Sequence, residues 1–136
     1  MTATPRFVHA PPPPAKPVAT FLQRIELRDA RDQRIGAAVW HLNTVDEGVV
    51  QLVELTVDPK LRRHGHAGAL LNEAITQARS VCRMKRVPLR RMWVALEQKG
   101  QVLARSLLTK HGFHHTSSVT DLLRDQDLLV YVRSFD

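Results

Sequence analysis

The sequence predicts one α/β domain, a mixed and mostly antiparallel central sheet carrying two main helices, behind a proline-rich head. Three observations predict it. Short apolar stretches separated by polar turns fill residues 21–57. Apolar residues then recur at three-to-four spacing over 70–82 and again over 103–111. The chain has 136 residues, 43% hydrophobic and 24% charged, which is ordinary for one globular domain. At that length a domain buries roughly two-thirds of its unfolded surface, so no covalent staple is needed.

Six of the eight prolines stand at Pro5, Pro11, Pro12, Pro13, Pro14 and Pro17. Such a run favours extended polyproline II and cannot join a sheet interior. Residues 1–19 are therefore expected to be a stiff tail or linker, with a ligand for a proline-binding module as the alternative. Order is expected from Ala19, and the domain over 20–136. Phe21 to Leu27 reads as a strand followed by a polar turn over 28–33, and Ile35 to Leu42 as a second strand. After the turn at 43–48, Val49 to Val57 makes a long apolar strand that ends at Asp58-Pro59. Three strands joined by short turns predict an antiparallel meander. Leu70, Leu71, Ala74, Ile75, Ala78 and Cys82 line one face of a helix of about four turns. Met92 to Leu96 is a short strand without alternation, as in a buried one. Leu103 to His111 marks the second helix. Gly112-Phe113 is its stop signal, a left-handed glycine and an apolar residue that folds back. Leu128 to Val132 is the last strand, with Val119 to Leu123 a candidate beside it. The chain has no internal repeat.

Composition narrows the function less than the fold. Cys82 is the only cysteine, so an internal disulfide is excluded and a reducing compartment is the simpler setting. Its apolar helical neighbours make it core rather than nucleophile. No apolar run approaches the ~18 residues of a membrane span, so no membrane partner is expected. Prolines occupy the stretch where a signal peptide would be apolar, and the cytoplasm is the expected compartment. A formal charge of +7 attracts polyanions, and nucleic acid, acidic lipid and a phosphorylated cofactor all qualify.

Chemistry concentrates after the third strand, in Val57-Asp58-Pro59-Lys60-Leu61-Arg62-Arg63-His64-Gly65-His66-Ala67-Gly68-Ala69-Leu70. A basic, glycine-containing turn leads into a helix without a Ser, Thr, Asp or Asn cap. A helix N-terminus leaves N–H groups unpaired and carries about half a positive charge. Gly65, Ala67 and Gly68 keep that backbone bare, so a bulky anion can approach it. Arg62, Arg63, His64 and His66 add donors and charge, an arrangement suited to a pyrophosphate. The three-glycine dinucleotide fingerprint is absent, and no Gly-Lys-Ser/Thr forms a Walker A loop. His64 and His66 are two ligands without a third nearby, so no metal is assigned.

The whole string Val-x-Pro-x-x-Arg-x-x-Gly-x-Ala before an apolar helix resembles the cofactor signature of the GNAT superfamily of acyl-CoA N-acyltransferases. That family's [Gln/Arg]-x-x-Gly-x-[Gly/Ala] core is met by Arg62, Gly65 and Ala67. Downstream, Ala104-Arg105-Ser106-Leu107-Leu108-Thr109-Lys110-His111-Gly112-Phe113 resembles the family's Ala-x-x-Leu-Tyr-x-Lys-x-Gly-Phe helix end. The resemblance covers residues 21–135 and implies a GNAT-like fold, acetyl-CoA as co-substrate and a primary amine as acceptor. It implies that pantetheine pairs with the backbone of Leu55, Thr56 and Val57, where that strand splays from the one containing Trp93. It also implies a departure. Family members begin with a strand and two helices that build much of the acceptor site, whereas only the proline-rich head precedes the meander here. A second departure is Leu108, where most members carry a tyrosine. The only tyrosine is Tyr131, on the last strand.

Direct transfer from thioester to amine asks for an oxyanion donor, a base for the ammonium and a proton for the thiolate. Backbone N–H on the third strand is the expected donor. Glu54 is the first candidate base, a carboxylate within an apolar strand, where desolvation can make such groups basic; its alternative is an outward-facing strand residue. Glu97 and His41 rank behind it. Arg79, Arg83, Lys85, Arg86, Arg90 and Arg91 read as a solvated face, with the cofactor's 3′-phosphate or an acidic partner as functional alternatives. Two rival functions stand beside the transferase. One is a catalytically weak acyl-CoA-binding module. The other is a basic nucleic-acid-binding domain, against which stand only seven aromatic residues and no recognisable recognition motif. Acceptor identity and oligomeric state stay open, a homodimer included.

Overall fold

The computed structural model describes residues 4–10, 21–44, 46–62, 64–99 and 102–135. In these, the meander forms as β2 (Phe21–Arg28), β3 (Arg34–Thr44) and β4 (Val49–Val57), preceded by a strand β1 (Arg6–Ala10). Helix α1 (His66–Met84) leads to β5 (Arg91–Glu97), and α2 (Val102–Lys110) to β6 (His114–Val119) and β7 (Leu128–Ser134). The strands form one sheet in the order β1-β2-β3-β4-β5-β7-β6. Every neighbouring pair is antiparallel except β4–β5. A parallel pair needs a crossover, and α1 supplies it.

Helix α1 forms on the predicted positions, burying Leu70, Leu71, Ala74, Ile75, Ala78 and Cys82. Cross-strand partners share a face of a sheet, so the register defines what α1 covers. Ile25 and Leu27 lie beside Ala38 and Gly36, and those beside Leu55 and Val57. Further along, Trp40 and Leu42 lie beside Leu52 and Val50. These residues and the α1 stripe form one core with Leu108, Phe113 and Leu129. Gly36 determines how closely the layers meet. A Cβ there would stand 2.4 Å from Thr56 O and 3.0 Å from Leu70 Cδ1. The stop after α2 forms as predicted: Gly112 has φ of 86°, and the buried Phe113 donates its N–H to Leu108 O at 2.9 Å. Burial in this core pushes the Cys82 thiol above its ordinary pKa, which keeps it unreactive.

Two expectations are corrected. Order does not begin at Ala19, because Arg6–Ala10 pairs with β2 from Arg6↔Arg28 to Ala10↔Arg24. An edge strand has one free side and tolerates the prolines nearby, so the proline run obscured it; residues 11–20 lie outside those described. The strand beside β7 is His114–Val119, not Val119–Leu123. All six of its residues are exposed, so no apolar alternation marked it. Among the described residues no helix is long and apolar enough to cross a membrane.

Candidate active site

Strand β4 pairs with β5 over three residues only, Val49 to Gln51 against Arg91 to Trp93. Both strands then continue, to Val57 and Glu97, with no further pair between them. The other edge of β4 stays on β3 throughout. The divergence follows a bulge: Val39 pairs with Glu54 but Trp40 with Leu52, leaving Val53 as an extra residue, half exposed. A bulge bends the strand that carries it and increases its twist. The result is a wedge, one wall of which is a strand edge with no strand partner among the described residues. Leu55, Thr56 and Val57 lie on that wall.

The wall leads into the N-terminus of α1. Asp58 anchors the exit, its N–H donating to Ile35 O at 2.8 Å and its Oδ1 accepting from Lys60 N–H at 3.0 Å. Arg62 is extended, and Gly65 takes φ of 78°, a conformation that favours glycine. The helical ladder begins with Ala69 N–H to Gly65 O at 3.0 Å. No side chain caps the helix, and its first turn holds no acid. The amides of His66, Ala67 and Gly68 precede the ladder. A Cβ at Gly65 would meet no atom within 4 Å, so the space above the turn is open. Arg62 and His64 flank it, both exposed; Arg63 lies outside the described residues. Bare amides, a positive helix end, cationic neighbours and open space fit a pyrophosphate.

Gly68 serves a different neighbour. A Cβ there would come within 3.1 Å of His111 Nε2, so the end of α2 abuts the first turn of α1. Sequence reasoning used His111 only as a helix marker. Its position before a helix-stopping glycine was legible, but its neighbour across the fold was not. Burial lowers the pKa of the His111 imidazole, and the charges of Lys110 and Arg133 lower it further.

The face of the sheet away from α1 carries a polar network. Glu26 is 7% exposed, accepts hydrogen bonds from Arg28 and pairs with Arg24 at 3.5 Å. The Arg28 hydrogen bonds hold its carboxyl below the usual range, with Arg28, Arg24 and Arg34 charges adding, against the opposing effect of burial. Register puts Glu54 and Thr56 on this same face. Glu54 is not the desolvated carboxylate expected inside an apolar strand. Its side chain is 37% exposed, 3.9 Å from Arg34, and accepts from the Thr56 hydroxyl at 3.3 Å. The bulge moved it outward, which alternation alone could not anticipate.

One row of residues crosses the throat of the wedge on that face: His41 beside Gln51, and Gln51 beside Trp93. This row brings His41 to the point of divergence, a placement its sequence position did not advertise. Glu97 stands exposed at the far end of β5, accepting from Gln126 Nε2 at 3.4 Å. Leu108 is buried in the core and offers no proton. Tyr131 is also buried, beside Val94, with its ring 5.4 Å from that of His115.

Comparison with known proteins places this geometry. The sequence model of the acetyltransferase (GNAT) family matches residues 15–113. No curated protein matches the chain in sequence. Solved structures do match in fold. An IAA acetyltransferase from Bacillus cereus aligns at 16% identity and a TM-score of 0.69, covering 84% of this chain and 78% of that one. An N-acetyltransferase of a ribosomal-protein alanine from Escherichia coli aligns at 15% identity and a TM-score of 0.68, covering 83% and 68%. A spermidine N-acetyltransferase from Vibrio cholerae, in complex with CoA and spermine, aligns at 16% identity and a TM-score of 0.69, covering 83% and 65%. Identities this low establish a shared fold, the mixed sheet with two helices described above.

Proposed function

The chain belongs to the acetyltransferase (GNAT) family, and from that premise we propose that it moves an acetyl group from acetyl-CoA to a primary amine by direct attack, with both substrates bound at once. The observation that carries this reading is the wedge beyond Gln51 and Trp93, which opens beside an uncapped helix N-terminus. In the proposal, the backbone of Leu55, Thr56 and Val57 pairs with the pantetheine arm as an added strand would. The amides of His66, Ala67 and Gly68 receive the pyrophosphate, Gly65 leaves it room, and Arg62, Arg63 and His64 balance its charge.

Backbone N–H near the Val53 bulge stabilises the oxyanion that forms as the amine attacks, a fixed donor that needs no reorganisation. Glu54 removes the proton from the ammonium or from the tetrahedral adduct, directly or through water, and its 37% exposure leaves that route open. His41, at the throat, is the second candidate. The thiolate departs without a phenol at Leu108. A thiol pKa near 8.5 makes it a tolerable leaving group, and the expected turnover is slow but real. The non-catalytic binding module is the second reading, favoured by the burial of Leu108 and of the only tyrosine. The proposed compartment is the cytoplasm, in keeping with a lone, buried cysteine.

A screen of amines with acetyl-CoA, reading free thiol, tests the transfer, and a melting assay tests the binding. A ligand at a hundredfold excess over its Kd stabilises the folded state by about 2.7 kcal/mol. Acetyl-CoA should raise the melting temperature more than RNA at matched ionic strength. Thiol release with any amine selects the enzyme; binding without release selects the module. Stabilisation by RNA alone would overturn both.

A further inference from the structure

A second hollow, of about 380 Å³, lies at the opposite end of α1. Arg79, Arg83 and Arg86 stand around it, and Val87, Leu89 and Phe135 form its apolar lining. Its lining residues Arg79 and Arg83 lie along α1 from the Gly65 turn, so at 1.5 Å per residue this hollow is roughly 21–27 Å from that turn. That distance rules out the 3′-phosphate of a molecule whose pyrophosphate sits at Gly65.

Among the described residues none of the three arginines forms an ion pair with a carboxylate. The helix end accounts for Arg83, in its last turn, but not for the whole group. The Val81, Cys82 and Arg83 carbonyls already accept from the amides of Lys85, Val87 and Arg86. Dipole stabilisation falls off within the last turn, whereas Arg79 lies more than a turn earlier and its guanidinium covers Phe135, 5.1 Å from the ring centroid. What remains is a concave apolar floor ringed by three exposed guanidinium forks.

We propose that this hollow is a docking site for an acidic polypeptide segment, with carboxylates on Arg83 and Arg86 and an apolar side chain seated against Leu89 and Val87. Guanidinium forks match carboxylates in a bidentate fashion, and the 7% exposed Leu89 gives the floor an apolar anchor point. Nucleic acid fits less well. A single strand binds by stacking its bases on aromatic faces, whereas Phe135 already carries the guanidiniums of Arg79 and Arg133, at 5.1 and 4.7 Å. This site is independent of the acetyl-transfer reading.

The test uses the full chain and a fluorescein-labelled twelve-residue peptide of Asp and Glu with one central Leu, read by anisotropy at physiological salt. The double variant Arg83→Glu, Arg86→Glu is compared with Arg31→Glu, Arg124→Glu, which makes the same net charge change at exposed positions elsewhere. The expected result is at least a tenfold loss in the first pair and less than a twofold loss in the second. Replacing the peptide's Leu by Ser should weaken binding severalfold. Circular dichroism and a retained acetyl-CoA melting shift verify that the first pair is folded and its other site intact. Equal losses in both variants, no binding to the unaltered protein, or a twelve-nucleotide RNA that outcompetes the peptide at the same arginines would each overturn the proposal.

Discussion

The two ends of α1 carry similar charge under opposite conditions. At the C-terminal end, three carbonyls accept amides from residues 85–87, and Arg83 lies in the last turn. Cations there complement the negative end of the helix dipole and contribute about 0.3–1 kcal/mol each. At the N-terminal end no side chain caps the helix, no acid enters the first turn, and Arg62 and His64 sit exposed beside it. A cation beside the positive end is unfavourable by a similar amount. Charge at one end of the helix thus aids folding, and the same charge at the other opposes it. An arrangement that costs stability without a ligand is most simply explained by one that arrives as an anion.

Removing the bare backbone from the N-terminal end should break the comparison most visibly. Gly65 has φ of 78° and open space where its Cβ would be. Gly65→Val puts a branched side chain there and strains the turn. Loss of two hydrogen bonds to a charged group, at ~1.5–3 kcal/mol each, lowers acetyl-CoA affinity by at least about a hundredfold. Calorimetric titration checks this, and unchanged affinity in a folded variant would move the phosphates elsewhere. Glu54→Gln acts where the strand wall meets this end. It keeps the side-chain shape and removes the base, so turnover should fall by ~10²-fold with acetyl-CoA affinity unchanged. Wild-type turnover across pH would end the assignment and promote His41.

Much of this fold is legible in the sequence. The α1 stripe, the third strand and the Gly112 stop appeared where their patterns put them, because each rests on local periodicity or a local backbone requirement. What escaped depended on partners distant in sequence. β1 and β6 are edge strands, and an edge needs no apolar alternation to pair on its one covered side. The Val53 bulge shifted Glu54 to a partly exposed position against Arg34, and a one-residue slip cannot be inferred from alternation. His41 and His111 reached the site through register and through helix contact.

Gly36 tests how far the N-terminal end depends on its seat against the sheet. A Cβ would stand 2.4 Å from a backbone oxygen and 3.0 Å from Leu70, which anchors the first turns of α1. Gly36→Ala should destabilise by about 1–3 kcal/mol through overpacking, measured by urea unfolding. Acetyl-CoA affinity should fall with it, since the cradle moves when Leu70 moves. At the C-terminal end the corresponding change has the opposite sign. Arg86 holds φ of 61°, which a glycine adopts without strain. Arg86→Gly relieves roughly 1–2 kcal/mol of left-handed strain and loses a smaller dipole contribution, so it should stabilise by up to about 1 kcal/mol while weakening the acidic peptide. A destabilised variant would mean that the Arg86 side chain contributes packing the backbone strain conceals.

The smallest effect belongs to His111, the link between α2 and the first turn of α1. Burial disfavours its charged form in the folded protein, and Lys110 and Arg133 disfavour it further. The α1 position that faces the ring is Gly68, which carries no charge. The sign follows from linkage. A histidine made less basic by folding is protonated more readily in the unfolded chain, so acidification favours unfolding. Above the ordinary histidine pKa of ~6.5 both states are neutral and His111 leaves stability independent of pH. As pH falls through that value toward its lowered one, stability is lost, and below both the loss is complete. Between pH 7 and about 5.5, the melting temperature of His111→Gln should fall less steeply than that of the unaltered chain. The stability difference accumulated over that range should amount to a fraction of the Gly36→Ala cost. Parallel slopes would mean that the His111 ring is as free in the folded protein as in the unfolded chain. The contact between α2 and the first turn of α1 would then be too loose to position anything in the cradle.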